Sequence, residues 1–168
     1  MQTLRQALYG WDGKSASAIR HIYTEYSVDA DFLTQLMQLI QVPELQPGVT
    51  WLLKASLEHG QDLNAQLQAT LLDAFVTIDA WQAQLHILQS FAYLSVDQLR
   101  KTAVEAKLRY GLRHPNKFVR AWSYHGLYHL ALQYPELQSD VTQLLEMALK
   151  DEPASVKARV KKLVKQGF

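Results

Sequence analysis

The feature that most constrains this chain is the spacing of its apolar residues, which return every three or four positions from one end to the other. Over 29–41 they are Phe32, Leu33, Leu36, Leu39 and Ile40. Near the other end Leu137, Val141, Leu144, Leu145 and Ala148 repeat the step. Such a step gathers side chains on one side of an α-helix. No stretch sustains the strict alternation of a half-buried strand. Interruptions are scarce: with 7 Gly and 5 Pro in the whole chain, turns are few and elements long. Val42-Pro43 and Pro47-Gly48 break the pattern where a turn is needed.

Helix-start signals agree with this reading. Ser95-Val96-Asp97-Gln98 has the form of a capping box, which predicts a helix start at that point. Asp29, Asp62 and Asp79 fall at or near expected starts, where free amides favour a carboxylate. Pro115, Pro135 and Pro153 can open helices without losing an amide bond. Together these features predict ten helices, over 2–9, 14–27, 30–41, 48–59, 62–76, 80–94, 96–112, 115–132, 136–149 and 153–166. Short connections predict antiparallel neighbours, paired first with second through ninth with tenth.

The second helices of the pairs can be laid over one another. Anchored on Val119-Arg120 against Val156-Lys157, their apolar hubs are Ile22, Leu57, Leu88, Leu127 and Val164, at spacings of 35, 31, 39 and 37 residues. Two-helix solenoid repeats have this length. One such pair cannot bury both of its sides, so neighbours must stack to complete a core.

His114-Pro115-Asn116-Lys117-Phe118-Val119-Arg120-Ala121 and Lys150-Asp151-Glu152-Pro153-Ala154-Ser155-Val156-Lys157-Ala158 resemble the inter-helix turn of HEAT-like repeats, followed by the Val-Arg or Val-Lys that opens the second helix. The likeness is carried by 96–168. Over 29–94, Asp79-Ala80-Trp81 and Pro47-Gly48-Val49 stand in place of the usual turn. The resemblance implies an all-α superhelix of about five helix pairs in a single domain over 1–168. It implies a fold and no activity.

Charge and composition narrow the partners. Residues 1–99 hold 4 Lys/Arg against 10 Asp/Glu, a balance of −6, whereas 100–168 hold 13 against 6, a balance of +7. The chain is bipolar. Two solvated surfaces of unlike sign are the ordinary account; an acidic partner at the C-terminal end or head-to-tail association are the sharper ones. The absence of Cys excludes disulfides and thiolate metal sites. No window of 18 apolar residues and no signal-type start occur, so the cytoplasm is the expected compartment and no membrane is expected.

No catalytic set emerges. His125 and His129 share a helix face and could hold a metal, but Gly126 stands where a zinc protease needs Glu, and no third ligand is near in sequence. Gly13-Lys14-Ser15 lacks the glycine-rich segment of a phosphate loop and reads as a turn with a Ser cap. No Gly-x-Ser-x-Gly elbow occurs. Neither a metal nor a cofactor is implied.

The aromatic residues say more. Trp11, Trp51, Trp81 and Trp122 sit one per pair, near the start of the second helix. Such residues suit inter-repeat packing and recognition alike. In the hub overlay, the positions seven and three before each hub share a stripe that in solenoids lines the concave side. There Lys54, Trp81, Arg120, Tyr124 and Lys157 form a basic and aromatic row, with His86 and His125 two before their hubs. The plainer account has the cations bound to turn carbonyls or nearby carboxylates.

The expected function is a non-enzymatic protein-interaction module that uses this face, its partner another protein. The alternative is nucleic-acid binding by a relative of the HEAT-like alkylpurine DNA glycosylases, whose basic and aromatic cleft Trp81, Arg120 and Trp122 would imitate. The sequence pI of about 8.0 is modest for that role. A likeness to the HEAT-like bilin lyases finds no specific residue to carry it. Nothing in the sequence fixes an oligomeric state.

Overall fold

The computed structural model describes all 168 residues, Met1–Phe168, and contains ten α-helices and no strand. The helices are α1 (Leu4–Gly10), α2 (Ala16–Tyr26), α3 (Phe32–Leu39), α4 (Gln46–Glu58), α5 (Ala65–Thr77), α6 (Trp81–Gln89), α7 (Lys101–Gly111), α8 (Lys117–Gln133), α9 (Gln138–Asp151) and α10 (Ala154–Gln166). No helix is long and apolar enough to cross a membrane.

Local chemistry sets the starts. Thr3 and Gln6 form a reciprocal capping box at α1, and Ser15, Asn64 and Asn116 each accept a backbone N–H of the first turn of α2, α5 and α8. The tetrapeptide Pro-Glu-Leu-Gln occurs twice, at 43–46 and 135–138. Both copies make a single 3-10 turn that runs into the next helix, α4 or α9. In each copy the Gln side chain reaches back to a carbonyl of the preceding segment, that of Ile40 or Ala131.

The expected start of α7 is corrected. Ser95 does not cap a helix, and α7 begins at Lys101. The Ser95 N–H donates to Gln68 Oε1 and the Val96 N–H to Gln133 Oε1, while the Tyr134 hydroxyl donates to the Val96 carbonyl. These long-range bonds hold 95–96 away from helix. Asp97 then accepts from the Arg100 N–H and closes the turn ahead of α7. The helix expected over 80–94 likewise ends at Gln89 and is followed by a 3-10 turn, Phe91–Tyr93.

The even-numbered helices pack in sequence, α2 on α4, α4 on α6, α6 on α8 and α8 on α10. On the other side α3 packs on α5 and α5 on α7. One apolar cluster runs through the molecule from Leu4 to Leu163. Helix α8 is its hub: it packs on α6, α7, α9 and α10, and Leu127 is only 1% exposed. Gly126 permits this closeness, because a Cβ there would lie 2.5 Å from Leu108 Cδ2.

Ile22, Leu57 and Leu88 are buried as the overlay requires, but Val164 is 46% exposed. The buried stripe of α10 is Val156, Val160 and Leu163, and Val164 instead lines an open hollow with Tyr128, Leu145 and Phe168. The packing of α10 is against α8 and α9 through that stripe, and Val164 lies at its edge.

Candidate functional site

The first turns of α2, α4 and α6 come together around a hollow of about 220 Å³. Trp11, Trp51 and Trp81 line it, with Lys14, Pro47, Leu85 and His86. Three of the four tryptophans of the chain therefore meet in one place. The Trp11 indole N–H donates to the Ser15 carbonyl at 2.9 Å, which fixes that ring against the start of α2. Trp81 is 41% exposed, far more than a ring of its size needs for core packing.

A second hollow of about 520 Å³ lies beside the first and shares Trp51 as a wall. It is the more polar of the two, lined by Arg20, Tyr23, Thr24, Lys54, Glu58 and His59. Lys54 pairs with Glu58 at 2.7 Å, one turn along α4. His59 donates from Nδ1 to the Ala55 carbonyl and its ring lies 5.2 Å from that of Tyr23. Arg20 is exposed and forms no ion pair.

His86 joins α6 to α4. Its Nδ1 lies 2.9 Å from Thr50 Oγ1, and the Thr50 hydroxyl proton is already directed at the Gln46 carbonyl, 2.8 Å away. The imidazole N–H is thus the donor. Burial first, and the Lys54 charge second, hold its pKa down to about 4, so it is neutral near pH 7.

The row expected from the sequence divides in two. Lys54, Trp81 and His86 come to the two adjoining hollows. Arg120, Tyr124, His125 and Lys157 lie away from them, in the α8–α10 part of the stack. Arg120 pairs with Glu152 at 3.1 Å and donates through Nη1 to the carbonyls of His114 and Pro115. It is engaged in binding its own turn, as the plainer account allowed. Tyr124 is 7% exposed, and burial, then the nearby Glu152 charge, raises its pKa. Lys157 is half-buried in the first turn of α10.

His125 is 8% exposed, and neither ring nitrogen has a hydrogen-bond partner. Its ring stands edge-on to Trp122 at 4.8 Å and to His129 at 4.4 Å. Arg159 lies over the Trp122 ring at 3.8 Å. Burial, then the charges of His129 and Arg159, holds the His125 pKa down to about 3. No three His, Asp or Glu side chains gather where they could hold a metal ion.

Trp11, Trp51 and Arg20 were missed as members of the face. The overlay put Thr50 in the stripe and so displaced its neighbour Trp51 by one position. Thr50 in fact points inward to His86. The recurrence of one Trp per pair was the better signal. No protein-family model, no curated protein and no solved structure matches the chain.

Proposed function

We propose that this chain is a HEAT-like helical stack that serves as a protein-interaction module. Its docking face is the row formed by α2, α4 and α6, and its anchor point is the Trp11–Trp51–Trp81 hollow. The observation that carries this reading is the convergence of three tryptophans from three successive repeats on one open cavity. Large aromatic groups in a desolvatable recess dominate protein recognition, because they bury much area at small entropic cost. The sequential packing of the even-numbered helices and the spacings of 31 to 39 residues support the stacked-repeat architecture.

At about 220 Å³ the aromatic hollow falls below the range of roughly 300–1,000 Å³ usual for small-molecule sites. It suits one inserted side chain, and the wider polar hollow beside it suits the backbone and neighbours of that residue. Selection of a random peptide display library on the full chain, run in parallel on the Trp51→Ala/Trp81→Ala variant, tests the reading. Peptide families enriched on the first target and absent from the second are expected. Equal enrichment on both targets, or a protein that captures oligonucleotides and no peptides, contradicts it.

A further inference from the structure

The half of the molecule that carries the two hollows is acidic, yet its cations are sorted onto them. Residues 1–99 contain 4 Lys/Arg, namely Arg5, Lys14, Arg20 and Lys54. Three of these line the two hollows: Lys14 the aromatic one, Arg20 and Lys54 the polar one. Of the 10 Asp/Glu in the same stretch only Glu58 lines either, paired with Lys54, and one more, Asp12, stands beside Lys14 with its carboxylate taken up by the Lys14 and Ser15 N–H groups. A stretch of chain whose balance is −6 overall thus gathers a local patch of opposite sign around an aromatic recess.

From this we infer that the groove is built for an acidic segment of a partner protein that carries one bulky apolar residue. This rests on the docking role proposed above and adds the chemical class of the occupant. The apolar residue enters between Trp11, Trp51 and Trp81. Carboxylates flanking it meet Arg20 and Lys14, of which Arg20 offers a planar fork suited to a carboxylate. The first turn of α6 has no side-chain cap, and Trp81 and Gln82 at that turn line the aromatic hollow. Its amide groups add to the favourable field for an anion. The cations of the patch work against basic segments.

The same charge map disfavours a nucleic acid as occupant. An extended polyanion lying along α2, α4 and α6 would find no cation there beyond the patch, since the one other Lys/Arg of residues 1–99 is Arg5 on α1, whereas a short acidic segment need touch only the patch. The cation that the sequence offered for phosphate contacts, Arg120, is already held by Glu152 and two carbonyls.

The test uses three pools of short fluorescent peptides that share a central aromatic residue and differ only in its neighbours: Asp and Glu, their amides Asn and Gln, or Lys. Anisotropy is measured at low and at physiological salt, beside an oligothymidylate of similar length. The acidic pool should bind about tenfold more tightly than the amide pool at low salt, the scale of one or two well-placed charge contacts. That advantage should vanish in Arg20→Glu/Lys54→Glu, whose helicity is checked first. Equal binding of acidic and amide pools, with loss of both in Trp51→Ala, overturns this inference and leaves the docking role standing. Binding of no pool, or binding unaffected by Trp51→Ala, overturns both. Preference for the Lys pool, or oligothymidylate binding that Arg20→Glu/Lys54→Glu abolishes, also overturns the acidic-segment assignment.

Discussion

Replacing Leu127 by Ala, beside the same change at Val164, separates a buried side chain from the half-exposed one that the sequence overlay sets against it. Leu127 is 1% exposed on α8, which packs on α6, α7, α9 and α10. Those neighbours are themselves fixed by further contacts, so the site cannot collapse onto the void. Leu→Ala changes cost about 2–5 kcal/mol, and a confined site avoids the low end, which puts this one at about 3–4 kcal/mol. With a urea slope of about 2 kcal/mol per molar, the midpoint should fall by roughly 1.5–2 M. Val164, its equivalent in the overlay, is 46% exposed. Val164→Ala should cost less than about 0.5 kcal/mol, since Ala is also the better helix former. The assay is urea unfolding followed by far-UV circular dichroism and tryptophan fluorescence, with coincident transitions as the check on two-state behaviour. A Leu127→Ala loss below about 0.5 kcal/mol would refute the burial argument. Equal losses at both positions would refute the half-exposed placement of Val164.

Arg120→Ala should destabilise by about 1–3 kcal/mol, because Glu152, with its side chain only 13% exposed, and two turn carbonyls lose their donor. The same variant should leave peptide binding at the α2–α4–α6 face unchanged; urea unfolding reads the first effect and peptide anisotropy the second. Acid should weaken the fold through His125. The unfolded imidazole takes a proton near pH 6.5 and the folded one only near pH 3, so stability is fully present above 6.5 and is lost as the pH falls between them. Near pH 5 this residue alone should account for about 2 kcal/mol. His86 acts in the same direction. His125→Phe should flatten that pH dependence and leave stability near pH 7 unchanged or raised, since it removes two unpartnered ring nitrogens. An unchanged acid profile in urea titrations of His125→Phe would remove His125 from the account.

All ten helices were legible because periodicity is a dense signal: each turn contributes an apolar residue, and errors at single positions average out. Their ends were less legible. Ser95 has the local form of a cap, but Gln68 and Gln133 pull its segment out of helix from 27 and 37 residues away. No local pattern encodes that competition. Of the seven residues that the sequence offered for a binding face, Lys54, Trp81 and His86 line the two hollows. Trp51 was not among them, because a fixed offset from a hub assumes equal spacing, and on α4 that offset falls on Thr50, which bonds His86, one residue before Trp51. On α8 the same offset selected Tyr124 and His125, which are buried because that helix, unlike α4 and α6 at the hollows, has packing partners on most sides. A position's depth in the stack decides whether a stripe residue is surface or core, and sequence spacing does not carry depth.

The four indole N–H resonances test the central claim most directly. In a ¹H–¹⁵N spectrum of the full chain they are few, well separated from the backbone, and assignable by single Trp→Phe variants. Titration with the acidic, aromatic-centred peptide pool should shift or broaden the signals of Trp11, Trp51 and Trp81, which line the hollow, and leave Trp122, packed under Arg159 beside His125, in place. Movement of Trp122 together with α10 amides, with Trp51 and Trp81 unmoved, would put the binding face at the basic end of the chain and contradict the account.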